Sequence, residues 1–394
     1  MTRSRVSANL GRMADFYDNF LDESHRLLRT SCRRFAEAEI RPHVHDWEEA
    51  GIFPRELYTK AAAAGVLGVG FPEELGGSGG GALHQLMSLE GLMRGTSTGV
   101  AAGLGSLGIA LPALVQSGDH GLAERFVRPA LRGEKIACLG ITEPGTGSDV
   151  AGVATRARRE GDHYVVNGAK LFITSGVRAD FMTVLARTGD DPHGGLTFFV
   201  LEKEMPGVTV SRSLKKTGWW ASDTAELAFS DVRVPVENRV GPEGSGFKTL
   251  MRNFQTERLA LAAYGVATAE IALEESMRYV RERKAFGRPI AGFQVTRHKL
   301  ADMATQLLAA KTLTYQVATR MDRGEYVVKE VSAAKNLAAE VALAVTYEAV
   351  QLHGGMGYMR ETVVERLARD ARLLPIGGGT QEVMKEIIAK SMGF

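Results

Sequence analysis

Apolar residues recur at helical spacing through the first third of the chain. Phe16, Phe20, Leu27 and Leu28 open the pattern and Arg33–Ile40 continues it, predicting helices from about residue 15 to 132. Phe71-Pro72 and the run Gly76–Gly81 break it with a loop, and helical texture resumes at Leu83. Near Ala137 the texture changes to short β-like runs. Tyr164-Val165-Val166, then Asn167-Gly168, then Leu171–Thr174 predict a hairpin. Phe181–Leu185, Leu196–Leu201, Val208–Val210, Leu227–Phe229 and Val232–Val234 follow without intervening helices, so an antiparallel sheet or barrel is expected. Gly241-Pro242-Glu243-Gly244 ends that block. Helical patterns then cover 247–283, 293–322, 327–352, 361–370 and 380–390. The expected fold class is α+β multidomain: an all-α domain at 1–136, a β domain at 137–240 and a helical domain at 241–394.

Charge narrows the function classes. Lys and Arg number 48 against 46 Asp and Glu in 394 residues, which disfavours a dedicated nucleic-acid binder. An apolar fraction of 44% excludes general disorder. Cys32 and Cys138 lie too far apart in sequence for a metal-ligand spacing, so no metal is expected, and a reducing compartment is. Residues 1–14 carry Arg3, Arg5 and Arg12 with no acid; a frayed bacterial N-terminus is preferred to a mitochondrial presequence, giving a cytoplasmic location. The uncharged stretch Gly95–Gly118 is long enough to span a bilayer, yet its Gly, Ser and Thr content and Pro112 predict a buried helix with a turn at each end. No membrane span is expected.

Three glycine-rich segments could hold a phosphate or a dinucleotide by backbone N–H groups: Gly140–Asp149, Gln351–Tyr358 and Ile376–Glu382. None is a Walker loop or a Rossmann fingerprint. On the long helix after 247, Leu250, Phe254, Glu257, Leu261 and Tyr264 share one face, with an acid in the middle of an apolar stripe. Such a carboxylate has either a raised pKa, suited to a base near neutrality, or an ion-pair partner in Arg252 or Arg258. His43 and His45 are expected at the surface, and His353 to cap a helix or pack rather than titrate.

These segments together resemble the acyl-CoA dehydrogenase flavoproteins over nearly the whole chain. Gly140–Asp149 with Gly152 is similar to the family's first signature. Gln351-x-x-Gly354-Gly355-x-Gly357-Tyr358, continuing to Glu361, Arg366 and Asp370, is similar to the second. Arg283-Lys284-Ala285-Phe286-Gly287 with Phe293-Gln294 resembles the segment that reaches the FAD of a neighbouring subunit. The resemblance implies a C-terminal four-helix bundle, bound FAD, and a homo-oligomer built as a dimer of dimers. It implies cofactor contacts from Leu139, Ile141, Thr142, Ser148, Phe172, Ile173 and Thr174, and from Arg283, Phe286, Gln294, Gln351, Gly354, Gly355, Thr380 and Glu382. Substrate contacts would come from Ser148, Gln255, Thr256, Arg258 and Gly379.

One departure bears on the chemistry. Many members carry the catalytic glutamate in the last glycine loop, where this chain has Gly378. Glycine cannot take a proton. The isovaleryl- and long-chain subgroup carries its base on the earlier helix before Arg-Leu, and Glu257-Arg258-Leu259 is similar to that pattern. The resemblance thus implies α,β-dehydrogenation of an acyl-CoA to the trans-2-enoyl thioester. Glu257 would take the α-proton, flavin N5 the hydride, and the Gly378 N–H would face the thioester oxygen. An electron-transferring flavoprotein is the implied oxidant. A second departure is Trp220, where the family often has arginine. Three other readings remain: an acyl group tethered to a carrier protein, a flavin monooxygenase on the same fold, and a non-catalytic nucleic-acid-binding member. Gly105–Leu111 is expected to line the acyl pocket.

Overall fold

The computed structural model describes residues 16–394; the basic segment 1–14 lies outside them. Helix α1 (Glu23–Phe35) begins at Asp22, whose carboxylate accepts from the His25 N–H while the His25 ring accepts from the Asp22 N–H. That reciprocal pair satisfies two of the donors a helix start leaves open. Helices α2 (Val44–Ala50) and α3 (Glu56–Ala63) precede the glycine loop, and α4 (Ala82–Leu92) packs against α1.

The uncharged stretch expected as one buried helix is three: α5 (Thr98–Leu104), α6 (Leu107–Ala110) and α7 (Pro112–Ser117), with a 44° bend after α5. The break falls at Gly105, where an added Cβ would lie 2.9 Å from the Tyr264 hydroxyl, and Pro112 starts the last piece. No single helix among the described residues is long and apolar enough to cross a membrane. Short helices α8 (His120–Leu122) and α9 (Arg128–Leu131) complete the layer.

The middle of the chain forms an eight-stranded sheet. Its strands are β1 (Ala137–Gly140), β2 (Arg156–Glu160), β3 (His163–Thr174), β4 (Phe181–Arg187), β5 (Leu196–Glu202), β6 (Val208–Ser213), β7 (Thr224–Pro235) and β8 (Arg239–Val240). The order is β6-β7-β3-β2-β4-β5-β8, and β1 adds to β4. Most pairings are antiparallel as expected, but β1 and β2 each meet β4 in parallel. Strands β4 and β5 are apolar without alternation because both faces are covered. Phe181, Leu185, Phe198 and Val200 face the helical core, while Met182, Val184, Phe199 and Leu201 face the sheet's own core.

The hairpin expected at Asn167-Gly168 is absent. Strand β3 runs straight through it and pairs along its length with β7, and the dipeptide forms a bulge between Val166 and Gly168. Asn167 exchanges two hydrogen bonds with Asp231 on β7, and an added Cβ at Gly168 would lie 2.7 Å from the Thr155 Cα. A partner strand on each side outweighs the local turn preference.

The last third is helical: α10 (Gly246–Glu282), a small hairpin of β9 (Lys284–Ala285) and β10 (Arg288–Pro289), then α11 (Gln294–Asp322), α12 (Val328–His353), α13 (Val363–Ala371) and α14 (Gln381–Ser391). The long helices α10, α11 and α12 pack on one another, and α10 also packs on α4. Side chains such as Leu250, Leu259 and Val345 are fully buried, each contributing about 1.5–3 kcal/mol of transfer free energy.

Candidate active site

Where α10 passes α4 and the broken segment α5–α7, their side chains leave a cavity of about 360 Å³. Its walls are mostly apolar, including Leu67, Phe71, Leu89, Leu92 and Leu104, and Thr256, Glu257, Ala260 and Tyr264 of α10 form one side. Gly105, Leu107, Gly108 and Ile109 line it as expected, whereas Ser106, Ala110 and Leu111 turn into the core. Gly108 is exposed at the cavity rim, and nothing lies within 4 Å of an added Cβ there.

Glu257 has no ion-pair partner among the described residues. Burial pushes its carboxyl up to about 7, opposed by the positive charges of Arg258 and Lys335. The ion-pair alternative at Arg252 and Arg258 therefore gives way to the raised-pKa one. Arg252 is exposed; Arg258 is buried, with its guanidinium carbon 5.4 Å from the Phe254 ring centre. An added Cβ at Gly378 would stand 3.6 Å from Glu257 Oε1 and 2.3 Å from Leu261 Cδ1. The last glycine loop and the earlier helix, 121 residues apart, thus meet at one point. Gly378 and Gly379 both have positive φ, 63° and 98°, a conformation glycine adopts without the Cβ penalty. The Gly378 N–H finds no acceptor among the described residues.

Two buried lysines give no pattern in the sequence. Lys335 on α12 donates to the Gly379 carbonyl at 2.6 Å. Lys170 on β3 donates to the Ile141 carbonyl at 3.0 Å and to Glu143 at 2.8 Å. Glu143 also accepts from the Ala154 and Thr155 N–H groups, which ties the first glycine loop to the sheet. A lone Lys inside a strand or helix reads as a solvated residue; only the fold reveals these two as buried.

The residues expected at the flavin ring sit together on the middle domain, with different exposures. Leu139, Ile141, Thr142 and Thr174 are partly buried and Ser148 is exposed. Phe172 is 64% exposed at φ 63°, an uncommon conformation for a bulky residue and one that turns its ring outward. Ile173 points into the sheet core, so its side chain is not available to a ligand.

A second, open cleft of about 580 Å³ lies at the far end of the helical bundle. It brings together Arg283, Gln351, Gly354 and Gly355, with the His353 ring stacked on Tyr279 at 4.2 Å. His353 Nδ1 bonds the Ala349 carbonyl at 2.7 Å, the packing role expected of it. Phe286, 94% exposed, and Gln294 do not line this cleft. Thr380 caps α14 by accepting from the Val383 N–H, and Glu382 lies exposed in its first turn. Gln255 does not line the cavity: its Nε2 donates to the Met251 carbonyl, and its buried Oε1, like Arg258 Nε, has no partner among the described residues. Trp220 is held between Arg360 and Arg369, whose guanidinium carbons lie 4.2 and 3.7 Å from its ring, and so fastens the middle domain to α13.

The three domain models of the acyl-CoA dehydrogenase family match residues 22–134, 138–232 and 244–393, in that order. The chain belongs to the acyl-CoA dehydrogenase family. Mouse mitochondrial long-chain specific acyl-CoA dehydrogenase is 39% identical over 93% of this chain and 86% of its own length. The caffeyl-CoA reductase-Etf complex subunit CarC of Acetobacterium woodii is 36% identical over 94% and 98%. A probable acyl CoA dehydrogenase from Mycobacterium abscessus superposes with TM-score 0.94 at 53% identity, covering 95% of this chain and all of its own. A glutaryl-CoA dehydrogenase from Mycobacterium smegmatis in complex with FADH2 gives TM-score 0.90 at 28% identity, over 95% and 96%. Members of the acyl-CoA dehydrogenase family are FAD-dependent oxidoreductases of acyl-CoA. This chain's residues fit that cofactor: the loop glycines Gly354 and Gly355 have open space where a side chain would stand, and the Phe172 ring is presented outward.

Proposed function

We propose that this protein catalyses α,β-dehydrogenation of an acyl-CoA carrying an apolar acyl group, with Glu257 as the proton acceptor. The observation that carries the reading is the meeting of Glu257 and the Gly378 turn, 3.6 Å from carboxylate oxygen to Cβ position, beside the apolar cavity. The α-proton of a thioester is weakly acidic, so its removal needs a base active near neutrality and a donor for the charge that builds on the carbonyl oxygen. Glu257, pushed up to about 7, is suited to the first task. The unpaired Gly378 N–H is suited to the second, a kind of donor worth about 3–4 kcal/mol in the transition state. Bound FAD supplies the acceptor for the β-hydride.

Leu67, Phe71, Leu89 and Leu92 exclude water from the acyl group and hold its α-carbon against Glu257. Ser148, Gln255 and Thr256 would meet the thioester and its pantetheine arm, and Arg258 would order the loop near the acyl pocket; of these, Thr256 lines the cavity. Leu139, Ile141, Thr142, Ser148, Phe172 and Thr174 would hold the flavin, with Ile173 contributing backbone only. Arg283, Phe286, Gln294, Gln351, Gly354 and Gly355 would hold the dinucleotide end of a second copy's cofactor across a dimer contact, with Thr380 and Glu382 at the pyrophosphate. An electron-transferring flavoprotein would reoxidise the enzyme in the cytoplasm. Anaerobic mixing with acyl-CoA tests the reading: the wild-type flavin bleaches, and Glu257→Gln keeps its flavin but does not bleach. Bleaching of that variant at the wild-type rate would remove Glu257 from the mechanism.

A further inference from the structure

The glycine turn at 378–379 is held in place from α12. Lys335 Nζ donates to the Gly379 carbonyl at 2.6 Å, Asn336 Nδ2 donates to the Gln381 carbonyl at 3.1 Å, and Gln381 Nε2 donates to Glu340 at 3.0 Å. Lys335 is 1% exposed, and the only hydrogen-bond acceptor it has among the described residues is that neutral carbonyl. An ammonium taken out of water costs free energy that one carbonyl does not return. The charged groups that face it are Glu257 and Arg258 of α10 and Glu382 of α14, the last exposed. Glu257, which lines the cavity, is, once ionised, the anion available to balance it.

We propose that Lys335 is the positioning residue of this site: it holds the glycine turn against Glu257 through the Gly379 carbonyl and, as a buried cation, stabilises the carboxylate that takes the proton. The inference rests on Glu257 being the base and adds a residue that neither touches the acyl group nor follows from any sequence motif. Its electrostatic sign is consistent. Burial and Arg258 pull the Lys335 ammonium down to about 8, so it is charged in the range where Glu257, at about 7, gives up its proton. The two charges favour each other, so removing the cation makes the carboxylate harder to form.

Two variants of the FAD-loaded enzyme separate the roles. Lys335→Met removes charge and donor; Lys335→Gln removes the charge and keeps a donor. For each, kcat/KM and the anaerobic bleaching rate are followed from pH 5.5 to 9, with bound flavin measured as the control for folding. The Met variant is expected to move the acid limb upward by about one pH unit, so that kcat/KM at pH 7 falls about fivefold from the shift alone and the deficit narrows toward pH 9. It also lowers the alkaline plateau, because the turn is loosened. The Gln variant moves the limb by a similar amount with a smaller plateau loss. An unmoved limb in the flavin-loaded variants overturns the proposal, and so does loss of flavin and fold in both, which would mark Lys335 as purely structural. If only the Met variant fails to fold, the Gln variant decides. The two layers fail separately: active Glu257→Gln removes the base itself, whereas inactive Glu257→Gln beside an unmoved Lys335 limb removes only this inference.

Discussion

The two concave regions of the molecule are built in opposite ways. The cavity beside Glu257 is walled mostly by apolar side chains of helices from both ends of the chain. The cleft at Arg283 and Gln351 is larger and open, and it is made from helix ends, a glycine loop and exposed polar side chains. Near it in sequence stand Phe286 and Tyr358, 94% and 81% exposed. Large exposed aromatics mark surfaces that something covers. On the proposed reading, the contrast would put proton removal in one chain's interior, where burial can tune a carboxyl, and would leave the dinucleotide to a surface that a second copy completes.

Substitutions can break that division. Gly108→Trp would put a bulky ring at the exposed rim of the cavity without a clash at Cβ, because nothing lies within 4 Å of that position. It is expected to lower kcat/KM for long acyl-CoAs about a hundredfold while flavin content stays normal; equal activity across an acyl-length series would mean the acyl group lies elsewhere. Arg283→Ala is expected to weaken FAD binding about tenfold in a fluorescence titration and leave the acyl-length preference unchanged. The wild-type bleaching rate should rise with pH and reach half its maximum at about pH 7, since the carboxyl must be ionised to accept a proton.

The smallest effect concerns stability. A carboxyl raised from 4.5 to about 7 binds its proton more tightly in the folded state, so the native protein loses stability as pH climbs through that window. Glu257→Gln is expected to match wild type below pH 4.5 and to exceed it by about 1–3 kcal/mol at pH 8 in urea unfolding. Equal stability at pH 8 would place the carboxyl in water.

Much of this was legible before the fold was. The period of the apolar residues located α10, α11 and α12 to within about two residues, and of the stripe around Glu257 the members Glu257 and Tyr264 line the cavity. Asn167-Gly168 misled because a bulge and a hairpin turn use the same residues, and only the neighbouring strand β7 decides between them. The 95–118 segment misled because its break answers to Tyr264, 159 residues away from Gly105. Lys335 and Lys170 could not be read at all, since burial of a charge is a property of packing and leaves no local pattern.

The central claim is that Glu257 removes the α-proton, and α-proton exchange measures that step apart from electron transfer. An acyl-CoA analogue that cannot be dehydrogenated is incubated with enzyme in deuterated water and followed by mass. Wild type is expected to exchange its α-hydrogen and Glu257→Gln, flavin-loaded, to lose exchange by about 10²–10⁴-fold. Exchange at the wild-type rate in that variant would contradict the account.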